Sequence, residues 1–143
     1  MAAFTGAFLS EETVVERGLE GLIYHVCERA AWQAAQTAGV YEGSAQDRAD
    51  GFIHFSDLSQ VRASTARHRA GQDDLVLLCV DPRPLGSALR YEPSRGGRLF
   101  PHLYAVLPLS AVREVHALEL GADGRHVFPH GFPQTSANGV DQD

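Results

Sequence analysis

The amino-acid sequence predicts an α+β domain. Two helical patterns lie near the start of the folded part, and five or six short strand patterns are spread around and after them. The helices do not alternate with the strands as regularly as they would in a doubly wound sheet. The chain has 143 residues, of which 44% are hydrophobic, which suits one domain with a substantial core. No internal repeat is visible.

The two ends of the chain differ in composition from its middle. Residues 1–20 carry an excess of acidic side chains and only a weak helical pattern, so we interpret them as an N-terminal extension. Gly, Pro, Ser, Asn and Asp dominate residues 129–143, which predicts a disordered tail. The single domain is therefore placed at residues 21–128.

The first half of the domain contains both predicted helices. Its other elements follow from branched, aromatic or polar composition. In order, the expected elements are a strand over 22–26, an Ala-rich helix over 28–38, a polar loop over 43–51 and a strand over 52–55. Gly39 is placed to end the first helix. Ser56 or Asp57 is expected to cap the second helix, which then runs to about Arg69.

The second half is predicted to be mostly strand. Residues 74–80 are apolar without alternation, as expected of a strand that is covered on both faces. Residues 122–124 are typical of a hairpin turn, so 125–128 should return antiparallel to the strand before it. The remaining expected strands are 89–92, 103–106 and 112–120.

Charge and cysteine content narrow the classes of partner. The net charge is −6, which argues against general binding to nucleic acids or anionic membranes. Residues 22–120 contain ten Arg and eleven Asp plus Glu, so a local cluster of Arg can still form a positive pocket.

The cysteines and the apolar segments indicate the compartment. Cys27 and Cys79 lie in separate apolar segments and are expected to be buried thiols. No apolar run approaches the roughly 20 residues of a membrane span. No secretory signal is visible, so the expected location is the cytoplasm.

The segment around His54 is the first candidate site. Phe52 and His54 should share one face of their strand, while Ile53 and Phe55 share the other. A titratable side chain on a burial-prone strand requires a partner, so His54 is either a satisfied core histidine or a functional group. Ser56, at the end of the strand, either caps the next helix or faces a ligand.

The segment from 90 to 104 is the second candidate site. Gly96 and its neighbouring glycine let the backbone approach a ligand, and Arg95 beside them is suited to a phosphate or carboxylate. The alternative is a solvated turn with ordinary surface arginines. His102 stands at a strand start, where a side chain can point into a cleft, with Tyr104 two residues on. Glu92 can orient a histidine or an arginine.

Several well-known kinds of site are missing from the sequence. GxGxxG, GxxxxGK[ST] and the GxSxG elbow do not occur, which argues against standard nucleotide loops and a Ser-His-Asp hydrolase. HExxH and CxxC are absent too, so no metal site is predicted from spacing. Assembly of a zinc site from His54, His68 and His102 is the alternative that spacing leaves open.

The two candidate segments also carry a resemblance. The strings DGFIHFS, SRGG and FPHLY, with DDLVLLCVD between them, resemble the small bacterial family known as domain of unknown function 952. The resemblance extends over about residues 22–118, nearly the whole domain. That family brings no established activity with it.

A more distant similarity concerns the ADP-ribosyltransferases, including RNA 2′-phosphotransferases that use NAD. Residues 23–26 resemble their first strand, which reads L-Y-H-G-T, and residues 53–57 resemble a later strand that reads I-Y-F-A-D or V-H-L-S. Residues 102–106 stand where those enzymes have a late strand. The similarity implies a split, mostly antiparallel sheet with two helices.

The same similarity implies a site. It places His25, His54 and His102 around the cleft that holds nicotinamide, with NAD as the implied cofactor. Arg95 would then meet a phosphate. His25 and His54 would position the ligand, while His102 would act as acid or base. Ser56, Gly96, Tyr104 and Glu92 complete the predicted ligand-binding set.

Two positions depart from the pattern of those enzymes. The glycine after their first-strand histidine is Val26 here, and their late-strand glutamate is replaced by Pro101 or His102. Two hypotheses therefore stand side by side. The first is an enzyme acting on NAD or a related nucleotide. The second is a non-catalytic module that binds a small anionic ligand or a protein partner through the same cleft.

Overall fold

The structure is a computed structural model that describes residues 21–133. It is an α+β fold with few helices and mostly antiparallel sheets. The α-helices are α1 (Arg29–Ala38), α2 (Ala45–Asp50) and α3 (Val61–Arg69). The first strands are β1 (Ile23–Glu28), β2 (Val40–Tyr41), β3 (Ile53–His54) and β4 (Leu75–Val80). The later strands are β5 (Leu89–Pro93), β6 (Leu99–Leu103), β7 (Leu107–Pro108), β8 (Val112–Leu120) and β9 (His126–Val127).

The strands form one larger sheet and two smaller ones. The larger sheet has the order β1-β4-β8-β9, a second has the order β3-β6-β5, and β2 pairs with β7. Every pair of these strands is antiparallel. Strand β4 is buried at all six positions, as its continuous apolar pattern predicted, because core packs on both of its faces.

The two faces of β4 divide the core. Val76, Leu78 and Val80 belong to a cluster beneath α1, together with Trp32 and the neighbouring strands. Alternate positions, including Leu77 and Cys79, belong to a second cluster on the other face. This arrangement follows from the two-residue period of a strand. The larger sheet therefore separates two apolar layers.

One backbone bridge joins the larger sheet to the sheet that contains β3. Tyr24 in β1 and Ser56 after β3 exchange two hydrogen bonds, each 2.8 Å from N to O. Ser56 is therefore part of this bridge and does not cap a helix. Helix α3 begins only at Val61, with Gln60 as its N-cap. The predicted cap is wrong for Ser56, because strand pairing continues to that residue. Asp57, however, exchanges two hydrogen bonds with Gln60 across the turn before α3, from the N of Gln60 to Oδ1 of Asp57 at 3.0 Å and from the N of Asp57 to Oε1 of Gln60 at 2.9 Å, which is the pattern of a capping box.

Two other predicted elements are placed differently in the structure. The polar stretch 43–51 was expected to be a loop, but it contains α2, which begins in a capping box between Ser44 and Asp47 and makes three α-helices where two were predicted. The strand expected over 103–106 is β6, which covers Leu99–Leu103. Pro101 lies inside β6, and proline argues against a strand when only the sequence is read.

The ordered packing extends beyond the predicted domain boundary at residue 128. Phe132 is only 6% exposed and its ring lies 5.2 Å from that of Tyr24, edge to face. Phe128 packs beside it. Hydrophobic burial thus holds the chain at least to Phe132. The predicted extension at 1–20 and the rest of the predicted tail, 134–143, lie outside the described residues.

Among the helices that the structure describes, none combines the length and the apolar character needed to cross a membrane.

The packing of Phe132 leads to a stability prediction. Replacing this buried ring by alanine should lower the free energy of unfolding by about 3 kcal/mol, since a large apolar side chain is removed from the core. The matched control is Val127→Ala, because Val127 is 59% exposed, and it should stay within about 0.5 kcal/mol of the parent. Urea denaturation measures both. Equal stability of Phe132→Ala and the parent protein would contradict the packing.

Candidate functional site

The main cleft lies along the outer edge of β1. Its volume is about 980 Å³, and all five consecutive residues from 24 to 28 line it. Alternate side chains of a strand point to opposite faces, so the lining by consecutive residues shows that the strand edge itself forms this wall. Helix α2, strand β3 and the last turn of α3 contribute to the other walls.

Three histidines from three strands line this cleft: His25 from β1, His54 from β3 and His102 from β6. His54 and His102 are directly opposite each other in the antiparallel register, and their ring centroids are 5.6 Å apart. The Nδ1 atom of His25 lies 2.6 Å from the backbone oxygen of His54. The structure thus brings together the three imidazoles that the sequence singled out.

Asp47 in α2 is the centre of the polar network in the cleft. It is only 3% exposed, and its carboxylate accepts hydrogen bonds from the backbone N of Ser44 at 2.7 Å and from Nδ1 of His54 at 2.6 Å. The Nε2 atom of His25 lies 3.8 Å away. Burial alone would raise the pKa of Asp47, but these partners lower it to about 2. Asp47 is therefore a buried, ionised carboxylate.

His54 is held between two carboxylates. Its Nδ1 donates to Asp47 and its Nε2 lies 3.0 Å from Oδ2 of Asp50, while 41% of the side chain stays exposed. The hydrogen bond to Asp47 raises the pKa of His54. Burial opposes this rise, and the charges of Asp47 and Asp50 add to it. With a carboxylate at each nitrogen, both nitrogens carry hydrogens, and the ring is an imidazolium.

His102 has a different environment. It is 6% exposed, its Nδ1 donates to Oε1 of Glu92 at 2.7 Å, and its ring stacks on Phe52 at 4.1 Å. The hydroxyl of Tyr104 donates to the same carboxylate oxygen at 2.8 Å. The hydrogen bond from His102, followed by that from Tyr104, lowers the pKa of Glu92. With Nδ1 donating to Glu92, Nε2 is the nitrogen of His102 that is left for a further contact.

His25 is enclosed by protein. It is 5% exposed, and burial lowers its pKa despite the nearby charge of Asp47. In the neutral ring, Nδ1 donates to the His54 carbonyl and Nε2 accepts from the Tyr41 hydroxyl, which is 2.8 Å away. Burial raises the pKa of Tyr41, with a smaller contribution from Cys27 beside it. Both nitrogens are therefore occupied, and the geometry favours a positioning role for His25 over contact with a ligand.

Basic side chains form another wall of the cleft. The last turn of α3 carries Arg67, His68 and Arg69, where positive charge also complements the helix dipole. Arg69 donates from Nη2 to the backbone oxygen of Val26 at 3.3 Å, which ties α3 to β1. Arg48 of α2 also lines the cleft. These side chains bring positive charge into the cleft that the histidines line.

The other predicted site residues are distributed unevenly. Ser56 is buried and lines the cleft. Glu92 is hydrogen-bonded to His102 and to Tyr104, and Gly96 is exposed in a short 3₁₀ turn with φ of 72°. The side chain of Arg95 lies outside the described part of the structure, so its predicted contact with phosphate stays a prediction.

Two members of the network were not predicted from the sequence. Asp47 falls within the stretch 43–51 that was expected to be a polar loop, and Tyr41 lies outside both candidate segments. The pattern Ser44-x-x-Asp47 is a capping box, which is a recognisable signal for Asp47. The structure does not support a zinc site made of His54, His68 and His102. Within residues 21–133 the ligand atoms of these three side chains do not form a common group.

Comparison with known proteins identifies the family. Residues 26–115 match the family model described as "Protein of unknown function (DUF952)". The chain belongs to the DUF952 family. The family resemblance seen in the sequence is therefore confirmed, over most of the domain.

Solved structures of a similar protein agree with this assignment. The crystal structure of protein CC0527 from Caulobacter crescentus is 49% identical with a TM-score of 0.72, and the match covers 74% of this chain and 93% of that one. The solution NMR structure of CC0527 is 50% identical with a TM-score of 0.67, covering 73% and 90%. No curated protein matches the chain. These matches give no support to the distant ADP-ribosyltransferase similarity.

The buried carboxylate of Asp47 should make stability depend on pH in the acid range. Its pKa is about 2 in the folded protein, below the unfolded value of about 3.9. The stabilisation is therefore fully present above about pH 4 and is lost as the pH falls through about 2, a loss of about 2 kcal/mol. Urea denaturation at a series of pH values should show this loss for the parent. Asp47→Asn should lack it, whereas the exposed control Asp73→Asn should retain it.

The ion pair between Asp47 and His54 should also be detectable in the titration of the His54 ring. We expect the ring protons of His54 to titrate above the ordinary histidine value of about 6.5, because two carboxylates stabilise the imidazolium. Asp47→Asn should move this titration to lower pH, and Asp73→Asn should leave it in place. NMR titration of the ring signals measures the effect. An unchanged His54 titration in Asp47→Asn would mean that the pair does not exist in solution.

Proposed function

We propose that the protein is an enzyme that binds a small anionic, nucleotide-like ligand in the main cleft and uses His54 and His102 for acid–base chemistry. One observation carries the proposal: two imidazoles face each other 5.6 Å apart in the cleft, each with its Nδ1 held by a different carboxylate. Such pairs orient an imidazole for proton transfer, and two of them supply an acid and a base.

The two histidines are suited to opposite roles. His54 has a carboxylate at each nitrogen and is the protonated partner, so it can donate a proton or stabilise negative charge. His102 donates from Nδ1 to Glu92, which leaves the lone pair of Nε2 available, and its ring lines the cleft. This favours His102 as the base. An acid and a base side by side fit a reaction in which one group is deprotonated while another leaves.

Size and charge support the ligand class. A volume of about 980 Å³ lies at the upper end of the roughly 300–1,000 Å³ that is typical of small-molecule sites, which suits a nucleotide. Arg48, Arg67 and Arg69 line the same cleft and are suited to phosphate oxygens. A phosphate near these arginines would place the rest of the ligand toward His54 and His102.

ADP-ribosyl transfer from NAD is the finer form of this proposal. It is supported by the strand patterns around His25 and His54 and by the position of both residues on one cleft. Val26 in place of the nicotinamide-binding glycine weighs against it, as does the enclosure of His25. Glu92 is the carboxylate closest to the role of the missing late-strand glutamate, since it contacts His102. NAD is therefore one member of the ligand class to be tested.

A non-catalytic binding module is the second candidate. The observation in its favour is the contact between Nε2 of His54 and Asp50. In this ion pair the hydrogen on Nε2 of His54 is already bound to a protein carboxylate and is not directed at a ligand. Under this alternative the same walls would hold an anion without turnover.

A thermal-shift experiment tests binding in the cleft. Inorganic phosphate, ADP-ribose and NAD are the probes, and a ligand specific for the native state raises the melting temperature. We expect a rise with at least one nucleotide-like probe, its loss in Arg67→Ala and its retention in His130→Ala, which alters an exposed histidine away from the cleft. No shift with any probe would contradict the ligand class.

Product analysis then separates enzyme from binder. With a probe that binds, we expect turnover to fall by about 10²- to 10⁴-fold in His102→Gln, because the base is lost, while the thermal shift largely persists. His130→Ala again serves as the control. Binding without any product would favour the second candidate, and equal turnover in His102→Gln and the parent would remove His102 from the mechanism.

A further inference from the structure

A second cluster of reactive side chains lies on the other layer of the larger sheet, away from the histidine cleft. Cys79 in β4 is directly opposite Glu114 in β8, and His116 follows two residues later on the same face of β8. One ligand atom from each of these three side chains lies within 4.8 Å of the other two. Strand register alone brings a thiol, a carboxylate and an imidazole together.

We propose that Cys79, Glu114 and His116 bind a divalent transition-metal ion of the zinc type. Sulfur, nitrogen and oxygen are the donors that Zn²⁺ takes from proteins, and three of them around one point leave a fourth position for water or another ligand. The spacing fits, because the three ligand atoms lie within 4.8 Å of one another and Nε2 of His116 is 2.8 Å from Oε1 of Glu114, a contact that the ion would replace. The proposal is independent of the function proposed for the main cleft.

Exposure to solvent increases across the cluster from the thiol to the carboxylate. Cys79 is fully buried and belongs to an apolar layer that includes Tyr24, Leu77 and Phe132. The side chain of His116 is 35% exposed and that of Glu114 is 50% exposed. An ion can therefore arrive from solvent past the carboxylate and meet the thiol at the base of the site. An apolar backing strengthens the charge interactions within it.

The backbone is also irregular at this point. The β4–β8 register shifts between Cys79 and Val80, so Cys79 pairs with Glu114 while Val80 pairs with Val112. The extra residue is Arg113, whose Nη1 donates to Asp81 at 2.9 Å. Bulges of this kind re-aim side chains and are frequent beside functional sites. Here the bulge is immediately next to the proposed ligands.

The site also connects to the backbone bridge between the sheets. Tyr24 pairs with Cys79 in the register of β1 and β4, and Tyr24 is the residue that bridges to Ser56. A metal bound to Cys79 therefore lies one strand from that bridge. Binding should stabilise the folded protein through mass action, since the three ligands come together only in the fold.

Cobalt substitution tests the proposal with the full chain. Co²⁺ bound to a thiolate gives a sulfur-to-metal charge-transfer absorption in the near ultraviolet, so the spectrum reports the thiolate ligand directly. We expect this band on titrating the parent protein with Co²⁺, its loss in Cys79→Ala, and its retention in Cys27→Ala, a matched change at the other buried cysteine. Zn²⁺ should displace the Co²⁺ and abolish the band.

Two further variants keep the test decisive if a buried cysteine change prevents folding. His116→Ala alters a partly exposed side chain and should weaken Co²⁺ affinity by at least about a hundredfold, since a direct ligand matters no less than an outer-shell partner. His102→Ala, in the main cleft, should leave the titration unchanged. The proposal is overturned if the parent shows no thiolate band, if the band follows Cys27, or if His116→Ala binds Co²⁺ as tightly as the parent.

Discussion

The buried carboxylate of Asp47 is the constraint on which the polar interior depends. An ionised carboxylate away from water is costly unless donors surround it, and here the backbone N of Ser44 at the start of α2 and both the backbone N and the ring Nδ1 of His54 in β3 donate to it. The backbone at Gly43 packs tightly against Asp47, since a Cβ at Gly43 would lie 2.7 Å from that of Asp47. Because one side chain accepts hydrogen bonds from both segments, the positions of α2 and β3 are fixed together.

The orientation of the candidate catalytic pair follows from that constraint and from strand register. Asp47 fixes the ring of His54, and the antiparallel pairing of β3 with β6 then sets His102 directly opposite. Glu92, on the neighbouring strand β5, fixes the second ring. Each imidazole is thus oriented by a carboxylate from a different segment. The pair is asymmetric, because only His54 has a carboxylate at both of its nitrogens.

Local patterns predicted the regular parts of the fold, and long-range pairing decided the rest. Strand β4 was predicted from its apolar run and β8 matches its expected range, because composition and alternation are local signals. Helix α2 was missed because its polar sequence looks like a loop, and β6 was misplaced because it contains Pro101.

The candidate site was predictable to a similar extent. The residue pattern singled out His54 and His102, and the distant similarity to ADP-ribosyltransferases added His25. The role of Asp47 and the proximity of Cys79 to His116 depend on contacts between segments that no local pattern reports.

The outer edge of β1 has a consequence for how ligand preference can vary. Its peptide groups at Tyr24 and Val26 are already engaged, by Ser56 and Arg69, so that wall of the cleft is fixed by the fold. Relatives with this fold can therefore change ligand preference through the side chains of the other walls, on α2, α3, β3 and β6.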